Sequence, residues 1–141
     1  MPAKVSIVEY NDIREKLLAK ITHIKHDFRT FEYQSLLFEE LDGGFYSIGD
    51  SCAVVERQPC GAIWIKELLT PEVVINDFTS NTTAKDALSS IASMFPADEY
   101  TVRIPSKTGE GRRFGMLTLS DSKRKKFDLE SFSPWYGLAF D

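Results

Sequence analysis

Apolar and polar residues alternate over residues 5–10 (VSIVEY), and the run is rich in β-branched side chains, a pattern that predicts a short strand. Asn11-Asp12 then supplies a helix cap, with Glu15 three residues after Asp12 completing the start signal. Beyond it Ile13, Leu17, Leu18, Ile21 and Ile24 form an apolar stripe, with Arg14, Glu15, Lys16 and Lys20 on the water side. Residues 30–41 read as a second helix that buries Phe31, Leu37, Phe38 and Leu41, stopped by Asp42-Gly43-Gly44 because glycine tolerates the left-handed cap conformation.

The pattern changes after this break. Residues 45–48, 51–57 and 61–68 are three short runs separated by Gly49-Asp50 and Gln58-Pro59-Cys60, which predicts an antiparallel meander. Thr70-Pro71-Glu72 is a helix-start signal, and residues 73–78 are read equally well as a helix or a turn. Asn81-Thr82-Thr83 caps a clearer helix with Ala84, Ala87, Leu88, Ile91 and Phe95 on one side, and Pro96 ends it. Residues 100–104 (YTVRI) return to strand, residues 105–113 are a polar loop, and residues 114–119 and 135–140 read as two further strands. The order β-α-α-β-β-β-(α)-α-β-β-β predicts one mixed α/β (α+β) domain over residues 1–141, with mostly antiparallel pairing.

Composition narrows the class. Of 141 residues, 43% are hydrophobic and 27% charged, which is globular rather than disordered usage. Seventeen Lys+Arg against 21 Asp+Glu leave a net charge of −4, which argues against a nucleic-acid partner. No apolar run reaches the ~20 residues of a membrane helix, and the start MPAKVSIVEYND lacks the layout of a secretory signal, so the expected setting is cytoplasmic with no membrane partner. Cys52, in a predicted strand, and Cys60, at the edge of the next, are read as reduced thiols. His23 and His26, three apart on the first predicted helix with no cysteine near, predict no metal site.

The stretches GAIWIKELL (residues 61–69), FPADEYTVRIP (95–105), RRFGML (112–117) and PWYGLAFD (134–141), in that order, resemble the GNAT N-acetyltransferase superfamily. The likeness is to the C-terminal GNAT-like domain of tandem bacterial acetyltransferases, and it spans nearly the whole chain. It implies an acyl-CoA N-acyltransferase fold: a mixed, mostly antiparallel sheet of six or seven strands with helices on both faces. It also implies acetyl-CoA as the cofactor and an amine as the acceptor. The layout, with an exposed edge at the last predicted strand, makes a strand-paired homodimer the expected assembly, and a partner acetyltransferase domain is the other expectation.

In that superfamily the pyrophosphate lies on a Gly-rich loop before the central helix, where glycines let backbone N–H groups approach the phosphates. The equivalent segment here, TPEVVINDFTSNTT (residues 70–83), contains no Gly, Arg or Lys and adds Glu72 and Asp77. The helix start at Asn81, Thr82, Thr83 and Ala84 is what remains of a cofactor-binding site; its other reading is a simple cap.

A general base in the superfamily is often a carboxylate on the fourth strand, which here is Glu67. Strict alternation puts Ile63, Ile65 and Glu67 on one face and Trp64 and Lys66 on the other. Glu67 is read either as that base or as a rim carboxylate paired with Lys66 or Arg103. The tyrosine that often serves as general acid has no counterpart in residues 106–120. The sequence therefore predicts a GNAT-like protein with a degenerate acetyl-CoA site and weak or absent catalysis, with an active acetyl-CoA-dependent N-acetyltransferase as the alternative. Arg103, Lys107, Arg112 and Arg113 bracket one loop and are read as an anion patch or a solvated loop; the run 123–126 (KRKK) is read as a solvent-facing turn. The aromatics Phe114, Phe127, Phe132, Trp135, Tyr136 and Phe140 are read as core, with part left for a cleft or a dimer contact.

Overall fold

In the computed structural model, residues 1–21, 23–72, 81–105 and Trp135 are described. The chain opens with strand β1 (Ala3–Lys4), not with a strand over residues 5–10. Helix α1 (Ile7–Leu17) already occupies most of that stretch. Its start is set by Ser6 and Glu9. The Glu9 N–H donates to Ser6 Oγ at 3.2 Å, and the Ser6 N–H donates to Glu9 Oε2 at 2.9 Å. This reciprocal box satisfies two backbone donors at once and outweighs the β-branched run that follows. The helix stops at Leu17, so His23 and His26 lie beyond it, between α1 and the next helix.

Helix α2 (Phe28–Leu41) is capped by Asp27, whose Oδ1 accepts from both the N–H and the hydroxyl of Thr30 at 2.9 Å. Asp42 itself, not a glycine, takes the left-handed position that ends the helix, at φ 42°. Gly43 is needed for a different reason. A Cβ there would stand 2.3 Å from the Val55 carbonyl oxygen and 2.9 Å from Phe38 Cδ1.

The predicted meander follows as β2 (Gly44–Ile48), β3 (Ser51–Arg57) and β4 (Ile63–Leu69). Helix α3 (Thr82–Met94) and strand β5 (Tyr100–Val102) complete the described elements. The sheet runs β1-β2-β3-β4-β5, antiparallel throughout except for the parallel β4–β5 pair. It has five strands among the described residues, and the strands predicted over residues 114–119 and 135–140 lie outside them, apart from Trp135.

Two apolar layers sandwich the sheet. Tyr10, Leu18, Phe31, Phe38, Phe45, Cys52, Val54 and Leu69 pack under α1 and α2. On the other face Tyr46, Ala53, Val55, Ile63, Ile65, Leu68, Ala87, Ile91 and Phe95 pack under α3. Helices thus cover both faces, and the alternation of β2 and β3 between the two layers is what a two-sided sheet requires.

Strand β4 breaks that alternation. Val54 faces Glu67 and Val55 faces Ile65, so Lys66 is an extra residue without a partner on β3. A bulge of this kind turns two consecutive side chains toward the same face and bends the strand. The residue just past β5 spans the irregularity: the Arg103 N–H donates to the Ile65 carbonyl and the Leu68 N–H to the Arg103 carbonyl, both at 3.0 Å. Substituting Gly43→Ala should overpack the junction of α2, β2 and β3 and cost about 1–3 kcal/mol in urea denaturation; an unchanged midpoint would contradict the close approach.

Candidate functional site

The bulge places Glu67 on the α1–α2 face, opposite to Ile63 and Ile65 and on the same side as Lys66, the reverse of what strict alternation predicts. Glu67 has no exposure to solvent. Burying an ionised carboxylate is costly unless it is paired and hydrogen-bonded. Glu67 meets that condition through three donors. Tyr10 donates its hydroxyl to Oε1 at 2.6 Å, Arg14 donates Nε–H to the same oxygen at 2.9 Å, and Trp135 donates its indole N–H to Oε2 at 2.8 Å.

Two of those donors come from one helix. Tyr10 and Arg14 are four apart on α1, so their side chains leave the same face and reach the same carboxylate. Arg14 is also fully buried. It donates Nη1–H to the Ile24 carbonyl at 3.1 Å and lies 3.4 Å from Glu15 Oε1. The third donor is remote in sequence. Trp135 bridges His23 as a parallel backbone pair, with the Ile24 N–H donating to the Trp135 carbonyl at 3.1 Å. His23 is itself held between the Ile21 carbonyl at 2.7 Å and Glu15 Oε2 at 3.0 Å.

A second buried ion pair lies beside the first. Lys66 Nζ is 2.8 Å from Glu56 Oε2, and Glu56 also accepts from Gln58 at 2.8 Å and from Gln34 of α2 at 3.4 Å. Lys66 therefore pairs with Glu56, not with Glu67, and the partner of Glu67 is Arg14 rather than Lys66 or Arg103. The Arg103 guanidinium lies over the Trp64 ring, 5.7 Å from its centroid. Lys107, Arg112, Arg113, the run 123–126, Tyr136 and the remaining C-terminal aromatics lie outside the described residues.

The cluster shifts its titrating members. Burial, reinforced by Cys52 and Glu67, holds the Tyr10 phenol well above its usual range. Burial, then the Glu67 charge, also pushes the Cys52 thiol up. For Arg14, burial works against the charged form, but Glu67 outweighs it and raises the guanidinium. Cys52 is thus a buried, protonated thiol and Cys60 an exposed one, and neither forms a disulfide.

The residues expected to hold a cofactor lie elsewhere. Helix α3 packs on the opposite face of the sheet from Glu67, so its first turn is not brought together with that carboxylate. Asn81 caps it, accepting the Ala84 N–H on Oδ1 at 2.8 Å while donating Nδ2–H to Glu72 Oε2 at 2.9 Å. Thr82 and Thr83 are exposed, whereas Ala84 is buried. The Ala84 amide, one of the N–H groups a phosphate would need, is already spent, and a carboxylate stands at the helix start where an anion would bind. No group of three or more His, Cys, Asp or Glu among the described residues is arranged to hold a metal. No described helix is long and apolar enough to cross a membrane.

The chain matches no family model, no curated protein and no solved structure.

Tyr10, Arg14 and Trp135 went unassigned as site residues in the sequence. The signal for the first two was the box Ser6-x-x-Glu9, which starts the helix early enough to set Tyr10 and Arg14 one turn apart. Trp135 carried no comparable signal. Replacing Arg14→Met should strand Glu67 beside neutral donors only and cost about 3–5 kcal/mol, with most of that recovered in the double variant Arg14→Met/Glu67→Met; urea denaturation of the three proteins measures it.

Alkali should also unfold the chain. The unfolded chain releases the Cys and Tyr protons from about pH 8.5 and 10 respectively. The native state retains them at Cys52 and Tyr10, so it binds more protons and its stability falls as pH rises through that range. Tyr10→Phe should flatten the slope above about pH 10, as read by denaturation midpoints across pH.

Proposed function

We propose that this chain is a GNAT-like domain with a degenerate acetyl-CoA site, in which the fourth-strand carboxylate has become structural and catalysis is weak or absent. The observation that carries this reading is the state of Glu67: fully buried, ion-paired to Arg14 and bonded to two further side chains. A general base must come within hydrogen-bond reach of the proton it removes. A carboxylate with no exposed surface offers an amine no approach.

Support for the fold reading comes from the layout. An opening strand, two helices, a three-strand antiparallel meander, a central helix and a fifth strand follow, over the described residues, the order that the family resemblance implies. Support for a degenerate cofactor site comes from the start of α3. Asn81 occupies the Ala84 amide and Glu72 occupies the Asn81 side chain. The β4–β5 pair remains hydrogen-bonded from Ile63 through Leu68, so no splayed notch opens between those strands over that length, which disfavours acetyl-CoA binding there and counts against the family's splayed sheet as well.

The second reading, an active acetyl-CoA-dependent N-acetyltransferase, draws on the bulge. Bulges are over-represented beside active sites because they re-aim a side chain, and this one re-aims Glu67. In the first reading the same bulge serves only to bring Glu67 to Arg14. A domain without turnover fits an assembly in which a second copy or a separate acetyltransferase domain supplies the chemistry.

Calorimetric titration of the full chain with acetyl-CoA separates the two. The expected result is no heat and no thermal shift at millimolar ligand. Micromolar binding, or thiol release from acetyl-CoA in the presence of simple amines, would overturn the proposal.

A further inference from the structure

Helix α2 carries two patterned faces. Phe31, Gln34 and Phe38 are buried and hold the helix on the sheet. On the opposite side stand Arg29, Tyr33, Leu36 and Glu40, all exposed. Their spacings of four, three and four residues set them in one narrow stripe along the helix, the arrangement of a coiled-coil seam. Leu36 is 61% exposed and Tyr33 51%. A single exposed apolar residue is ordinary; the order of all four along the stripe is what carries information.

That order complements its own reverse. If two copies of α2 lie antiparallel with a two-fold axis between Tyr33 and Leu36, Tyr33 of each copy faces Leu36 of the other. The same register sets Arg29 of each copy opposite Glu40 of the other. A two-fold contact uses one patch twice, so it must match itself in this way. The apolar pairs fill the middle and an opposite-charge pair closes each end. Parallel, in-register pairing would instead set Arg29 against Arg29 and Glu40 against Glu40, a like-charge arrangement that the stripe penalises.

We propose that the outer stripe of α2, formed by Arg29, Tyr33, Leu36 and Glu40, docks a second copy of this chain in an antiparallel, reversible dimer. The helix has 14 residues and is about 21 Å long, so one helix from each copy makes a smaller contact than a permanent dimer uses. Glu32, exposed at the edge of the stripe, adds negative charge to both copies and keeps the association transient. The stripe faces away from the sheet and from the Glu67 cluster. Association through it is independent of whether the domain binds acetyl-CoA.

Sedimentation equilibrium of the full chain from micromolar to millimolar concentration tests it. The expected result is a monomer–dimer equilibrium within that range. Arg29→Glu and Glu40→Arg each set like charges face to face at both ends, so each should weaken the dimer roughly tenfold or more. The double variant Arg29→Glu/Glu40→Arg restores opposite charges and should restore the affinity. Both positions are exposed, so circular dichroism should show all three variants folded. A chain that stays monomeric to millimolar concentration, as it would if its own residues covered the stripe, would overturn the dimer. So would an affinity that neither single variant changes, which is what strand pairing predicts. A double variant as weak as the singles, or single variants that do not fold, would overturn it as well.

Discussion

A carboxylate sealed from water has to be neutralised and hydrogen-bonded in place, and Glu67 imposes that demand on everything around it. Arg14 answers the charge and Tyr10 the geometry, and both must leave α1 one turn apart. That requirement ties the start of the helix, set at Ser6, to the middle of the sheet. Arg14 extends the constraint outward by holding the Ile24 carbonyl, and residues 23 and 24 in turn carry the backbone bridge to Trp135. Segments from the beginning, middle and end of the chain therefore meet on one ionised group.

The bulge at Lys66 decides on which side of the sheet this happens. Without the extra residue, Glu67 would point into the apolar layer under α3, where Ala87, Ile91 and Phe95 offer no donor. With it, two charged residues in succession face α1 and α2, and each finds a partner there: Arg14 for Glu67, Glu56 for Lys66. The two faces end up chemically distinct. One is a largely apolar contact with α3, without an ion pair among the described residues; the other is an aromatic layer with two ion pairs set into it.

Buried ion pairs of this kind contribute little net stability compared with apolar packing of the same volume, yet breaking one is expensive. Their effect is to penalise alternatives. A register slip in β4 or a shifted α1 would leave a charge without its counterpart. The polar layer specifies a single arrangement of α1 on the sheet, which is a sufficient physical reason for these residues.

Local pattern alone carried much of the architecture. The turns at Gly49-Asp50 and around Gln58-Pro59-Cys60 mark out β2, β3 and β4, and Asn81 with its 3.6-residue apolar repeat marks α3, because these features depend only on neighbours in the chain. The first helix was readable too, but the alternation of VSIVEY masked the capping box that starts it at Ile7. Two things depended on tertiary structure. The side to which Glu67 points rests on one unpaired residue in β4, and period-two alternation cannot register an insertion that exists only relative to the partner strand. The closure of the Glu67 site by Trp135 spans 68 positions of sequence, a distance over which no periodicity or spacing constrains contact and only the packed fold brings donor to acceptor.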